Sequence, residues 1–257
     1  MPTLDLGATE AKAAIALLKL AYRQGWLDRL VTLLRKKHHI LVLGCSGAGK
    51  TAFLDSLAAS IPSAIDRMNR TEFAQKHSIR IAKVPFVFHD TPGQTLHHSR
   101  RMQAVREAMK GSIAGIINVV SYGYHESRVD REVATIGGKV NEEYLAQRRL
   151  QEIDALYEWT ALLGDNGTVG WLMTVVTTAD LWWDRRETVL DHYSAGPYST
   201  ALEPARSLRP VIVEYCSVFQ KFYGEAPMCG DFQDADRSRA KGHLLSQLLV
   251  AVGRAQK

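Results

Sequence analysis

The chain predicts an α/β protein: a mostly parallel six-stranded sheet with helices on both faces, plus an N-terminal helical extension. Three observations carry this expectation. From about residue 38 onward, short apolar runs alternate with longer segments of helical periodicity. Such alternation builds parallel sheets, because each return to the sheet needs a crossover helix. The first run, His39-Ile40-Leu41-Val42-Leu43, is continuously apolar after its His, as a strand covered on both faces must be. At 257 residues, 46% hydrophobic and 23% charged, the chain has material for one large core and an appendage.

The elements follow in order. Residues 1–36 read as the extension, with apolar residues at Ile15, Leu18, Tyr22, Trp26, Leu30 and Leu34 on one helical face and a break at Gly25. The basic residues there gather at one end, so packing on the protein's own domain is preferred to a partner or membrane surface. Residues 37–257 form the main domain. Strands are expected over 38–44, 78–84, 85–90, 113–121, 169–177 and 210–216, and helices over 49–60, 95–110, 142–163, 181–192 and 238–254. The polar stretch Tyr122 to Asn141, with Gly137-Gly138, reads as a long loop. So does Tyr193 to Pro210, with Pro197, Pro204 and Pro210.

Composition narrows the function classes. The net charge of +5 is scattered apart from Arg35-Lys36-Lys37 and Arg100-Arg101, which argues against a nucleic-acid stripe. No apolar run approaches the roughly 18 residues of a membrane span. Met1-Pro2-Thr3 opens no secretory signal, and neither lipidation motif is present. Cys45, Cys216 and Cys229 are odd in number and far apart, so a reducing, cytoplasmic setting is expected.

The chemistry is concentrated in one string. Gly44-Cys45-Ser46-Gly47-Ala48-Gly49-Lys50-Thr51 satisfies G-x-x-x-x-G-K-[ST], follows a buried strand and opens a helix at Thr51-Ala52-Phe53. In such a P-loop the glycines let successive N–H groups converge on a phosphate. The helix adds its positive end, the Lys reaches the β- and γ-phosphates, and the Thr hydroxyl binds Mg²⁺. The whole segment Gly44 to Ala52 is the expected nucleotide contact, within a three-layer P-loop NTPase fold. Cys45 reads as a small side chain tucked beside the loop.

About forty residues on, Val84-Pro85-Phe86-Val87-Phe88-His89 runs into Asp90-Thr91-Pro92-Gly93-Gln94. A carboxylate at that strand end can hold the shell of a metal. The Gly beyond can sense a γ-phosphate, and the Gln can orient water. Here the chain resembles the Ras-like small GTPases, in the translation-factor-related class of P-loop GTPases, whose element is D-x-x-G-Q. The resemblance implies metal-shell Asp90, γ-phosphate hinge Gly93 and catalytic Gln94 beside Lys50. It also needs a loop Thr on Mg²⁺, and Thr71 is the sole Thr between Ala52 and Asp90. Arg67 and Arg70 just before it are candidate arginine fingers, though exposed arginines usually have no such task.

The base motif is degenerate. Where the family has [NT]-K-x-D, the chain has Thr177-Thr178-Ala179-Asp180, keeping the guanine-reading Asp but not the Lys. Glu214-Tyr215-Cys216-Ser217-Val218 stands where the family has E-x-S-A-K, placing Cys216 and Ser217 at the guanine O6. The resemblance spans about Lys37 to Gly253 and implies a slow GTPase switch holding GTP or GDP with Mg²⁺, read by a protein partner through the loops near Thr71 and Gln94. Alternatives are a nucleotide-binding scaffold with little turnover, motivated by Thr178, and a P-loop ATPase, opposed by Asp180. His97-His98 reads as an exposed segment, and one of Trp182-Trp183 as core.

Overall fold

The computed structural model describes residues 33–58, 75–91, 113–126, 130–164, 169–208, 210–224 and 231–255, with isolated positions between 15 and 19 and between 103 and 110. The central sheet contains β1 (His38–Gly44), β2 (Gln75–Ile81), β3 (Val84–Asp90), β4 (Ile113–Val120), β7 (Leu172–Val176) and β8 (Val211–Glu214), in the order β2-β3-β1-β4-β7-β8. All neighbours are parallel except the β2–β3 hairpin. Crossovers are made by α1 (Lys50–Ala58), α3 (Glu142–Gly164), α4 (Arg186–Ser194) and α5 (Gly196–Ala201), and α6 (Asp234–Arg254) closes the chain. The six-stranded, doubly covered α/β architecture expected from the alternation is present.

Strand β1 shows why its sequence is apolar at consecutive positions. Ile40 and Val42 face one core with Phe53, Leu54 and Leu57 of α1 and Leu244, Leu248 and Leu249 of α6. Leu41 and Leu43 face the other, with Leu145, Ile153, Leu156 and Trp159 of α3 and Tyr193 and Tyr198 from α4 and α5. A side chain reversal every residue then buries both rows. Leu33 also packs into the first core, and its carbonyl accepts from His38 Nε2 at 3.0 Å. Residues 1–32 of the expected extension, its Gly25 break included, lie outside the described residues, apart from helical positions 15 and 19.

Several expectations need correction. The stretch 122–141 holds a short helix, α2 (Arg131–Ala134), and a hairpin of β5 (Thr135–Ile136) and β6 (Lys139–Val140) turned by Gly137-Gly138. The stretch 193–210 is largely helical: α4 runs to Ser194, and Pro197 sits in the first turn of α5, where its missing N–H goes unused. A further 3₁₀ segment covers Glu203–Leu208. The helix placed at 181–192 begins only at Arg186, after two 3₁₀ turns. The last helix starts four residues early, at Asp234, because Gln233 and Asp236 form a capping box. In the β2–β3 hairpin the turn residues are Ala82 and Lys83, both at positive φ, which shifts the strand boundary from the expected one. Trp182 is core, as expected, and Trp183 is half-buried. Among the described residues no helix is long and apolar enough to cross a membrane.

Candidate functional site

Five parallel strands end at one edge of the sheet, and a loop carrying polar groups follows each of them. In open α/β sheets that edge, where neighbouring crossovers diverge, is where ligands sit. From β1 comes the Gly44–Lys50 turn. Gly44 can have no side chain, since a Cβ there would lie 2.4 Å from the Val119 carbonyl of β4. Gly47 has φ +80°, and its Cβ would sit 2.6 Å from the Glu126 carbonyl. Both sites are closed to other residues, by approach and by positive-φ backbone.

Lys50 begins α1 and is 8% exposed. Its ammonium donates to the carbonyls of Gly44 (2.8 Å) and Cys45 (3.0 Å), so the side chain spans the loop it belongs to. The cation is thus held at the mouth of the turn, with its charge partly buried. Ser46 and Gly47 are exposed, as are Thr51 and Ala52 on the first helical turn, while Ala48 is packed inside. Cys45 is half-buried and its thiol donates to the Gln151 carbonyl of α3 at 3.6 Å, which fits the tucked side chain expected.

Asp90 ends β3 directly alongside β1, its Cα in register with Val42. It is 1% exposed, and the neighbouring Thr91 hydroxyl fastens the strand end by donating to the Val42 carbonyl at 2.9 Å. The hydroxyl of Thr51 and the carboxylate of Asp90 are hard oxygen donors of the kind Mg²⁺ takes. Thr71, Arg67, Arg70, Gly93 and Gln94 lie outside the described residues.

On the other side, Thr177 follows β7. Its hydroxyl is 2.8 Å from the Ala48 carbonyl and 2.9 Å from the Val120 carbonyl, so it links the phosphate turn to both β4 and β7. Thr178 is left-handed, φ 56° and ψ 36°, and its hydroxyl turns back onto the Thr177 carbonyl at 2.7 Å. Asp180 is fully buried. Its Oδ1 accepts from the Cys216 thiol at 3.2 Å and its Oδ2 from the Gln220 N–H at 2.8 Å. Burial pushes the Asp180 carboxyl above its ordinary value, against the pull of those two donors. Burial and the neighbouring Asp180 push the Cys216 thiol up, so it stays protonated and can donate. Ser217, half-buried, follows at the start of the turn that carries Gln220. The structure thus joins Asp180, Cys216 and Gln220 in one cluster and ties Thr177 to the phosphate turn.

Sequence reading missed the fifth loop, Ser121–Glu126 after β4. Its Glu126 backbone covers Gly47, and its Glu126 carboxylate accepts from the Tyr223 N–H at 2.6 Å. The available signal was position: this segment follows a core strand at the same sheet edge as the phosphate turn. Gln220 was missed because its backbone N–H, not its side chain, makes the contact.

Comparison with known proteins bears on the fold. Residues 39–149 match the family described as 50S ribosome-binding GTPase, a match covering less than half of the 257 residues. No curated protein sequence matches the chain. Among solved structures, a dimerization-deficient mutant of Toc33 from Arabidopsis thaliana is similar with a TM-score of 0.54 at 14% identity, covering 95% of this chain and 92% of that one. Toc33 in complex with GDP and Mg²⁺ gives 0.51 at 14% identity with the same coverage. The Arl6 BBS3 small GTPase from Trypanosoma brucei gives 0.48 at 12%, covering 86% and 100%. The two Toc33 likenesses establish a GTPase-type fold for this chain.

Proposed function

We propose that the chain is a GTP-binding protein of the P-loop GTPase class that hydrolyses GTP slowly and serves as a nucleotide-dependent switch toward a protein partner. One observation carries the reading above all: Thr177 ties the phosphate turn, through Ala48, to the strand end that bears Asp180. A phosphate cradle alone suits any nucleotide. A carboxylate two donors deep at the adjoining strand end suits guanine, whose N1–H and exocyclic amine form the matching pair, whereas adenine presents none. The matched family and the Toc33 complex with GDP and Mg²⁺ support the same choice.

The roles follow from chemistry. Backbone N–H groups of Cys45 to Thr51 would hold the β-phosphate, and Lys50 would exchange its two carbonyl contacts for phosphate oxygens. Thr51 and Asp90 would hold Mg²⁺, directly and through its water shell. When bound, the ion neutralises charge on the β- and γ-phosphates. By resemblance, Thr71 completes the metal and γ-phosphate contacts, Gly93 moves with the γ-phosphate and Gln94 orients the attacking water. Cys216 and Ser217 flank the base, with Cys216 steadying Asp180. A Ras-like, translation-factor-related assignment, a cytoplasmic setting and a partner surface near Thr71 and Gln94 complete the proposal. The test is direct: the purified protein is denatured and the released nucleotide identified by chromatography. GDP or GTP is expected; adenine nucleotide alone would refute the reading.

A further inference from the structure

The loop Ser121–Glu126 is built around one buried carboxylate. Glu152, on α3, is 1% exposed. Its Oε1 accepts from the Ser121 N–H (2.9 Å), the Gly123 N–H (3.3 Å) and His125 Nε2 (2.7 Å). Its Oε2 accepts from the Tyr193 hydroxyl at 2.6 Å. The Tyr122 N–H between the two bound amides donates to that same Tyr193 oxygen at 2.9 Å. Three consecutive amides thus converge on one carboxylate and its partner. The backbone between them is unusual, with Tyr122 at φ 54° and Gly123 at φ 85°. Left-handed backbone at a Tyr costs about 1 kcal/mol or more and persists only where surroundings over-determine it. Burial would raise the Glu152 carboxyl, but the His125, Ser121 and Tyr193 donors outweigh it and hold it below its ordinary value.

The far end of this loop touches the nucleotide site. Tyr144 on α3 donates its hydroxyl to the His125 carbonyl at 2.8 Å. Glu126 then lies on Gly47 and binds the Tyr223 N–H in the turn that carries Gln220. A chain of contacts runs from Glu152 to the phosphate turn on one side and to Asp180 on the other. We infer that Glu152 is a positioning residue of the nucleotide site, fixing the Ser121–Glu126 loop against Gly47 and so setting how tightly guanine nucleotide is held. This rests on the guanine-nucleotide reading of the site.

The experiment measures the Kd of Mg²⁺-GDP by calorimetry, with unfolding midpoints for every variant. Glu152→Ala removes all four contacts and is expected to weaken GDP about tenfold or more, the equivalent of one charge-assisted hydrogen bond. Glu152→Gln keeps an acceptor for Ser121, Gly123 and His125 and turns an amide toward Tyr193, whose hydroxyl can accept, so it is expected to restore most of the affinity. Tyr193→Phe removes a single hydroxyl with the ring retained, and carries the test if the Ala variant does not fold; it is expected to weaken GDP about threefold or more. Val252→Ala on α6, in the opposite core, is the control: destabilised, with Kd unchanged. Wild-type affinity in Glu152→Ala or, in its place, Tyr193→Phe, or an equal loss in Val252→Ala, overturns this inference alone. A wild-type chain that binds no GDP overturns the nucleotide reading and this inference with it.

Discussion

The proposed phosphate end and the proposed base end of the site are made differently. At the phosphate end the work is done by backbone: Gly44 and Gly47 have no room for a Cβ, and Lys50 closes the turn onto its own carbonyls. All of it lies within eight consecutive residues. The base end is assembled from side chains and amides on separate loops, with Asp180, Cys216 and Gln220 spread over 41 positions and steadied by Tyr223 and Glu126. A local backbone device tolerates no substitution, so it stays recognisable. A distributed one can exchange partners, and here Thr178 stands where the motif that the chain resembles has Lys.

This contrast can be tested by changing each end in turn. Lys50→Ala should have the largest effect, weakening Mg²⁺-GDP by about a hundredfold or more, since charge-assisted contacts to two phosphates are lost. It should also lower stability by about 1 kcal/mol, because the ammonium ties two loop carbonyls. Calorimetry and a urea melt check both parts, and unchanged affinity would break the assignment of the phosphate end. Gln94→Leu should keep GTP affinity and slow single-turnover hydrolysis about tenfold or more, as loss of one transition-state contact of ~1.4 kcal/mol requires. Equal rates would place the water elsewhere.

A smaller effect is expected at the base end. Thr178→Lys should tighten GDP and GTP severalfold, on the order of 1 kcal/mol, and leave ATP unchanged. The left-handed backbone at 178 disfavours a β-branched residue, so the substitution should not reduce stability. Equal tightening of ATP would show that the base is not read there. The smallest effect concerns pH and the fold. Burial lowers the pKa of His38, His39 and His192 below the usual 6.5. Groups depressed in the folded state contribute stability above their unfolded pKa and lose it as pH falls. The urea midpoint should therefore decline from about pH 6.5 downward, by a few tenths of a molar. Asp180, raised by burial, acts in the opposite sense as a single group. A flat midpoint between pH 7.5 and 5.5 would contradict this balance.

What was legible in the sequence follows the same division. The two-sided burial of β1 was readable because both cores meet at consecutive residues, Ile40 to Leu43. The phosphate turn was readable because its residue types are dictated by space. The helices at 196–201 and 131–134 were not, since Pro197 and the polar run before Gly137 look like loop, and both helices are packed by partners far along the chain. The role of Glu152 was hidden in a helical heptad of mixed polarity. Only the fold brings it beneath a loop 31 residues earlier in the chain.

The guanine preference proposed for this site rests on Asp180 and its neighbours. It is tested most directly by competition between Mg²⁺-GDP and Mg²⁺-ADP for the nucleotide-free wild-type protein. Preference for GDP by about a hundredfold or more is expected, because adenine offers the Asp180 carboxylate no counterpart to the paired N1–H and exocyclic amine of guanine. Equal binding, or tighter ADP, would contradict it.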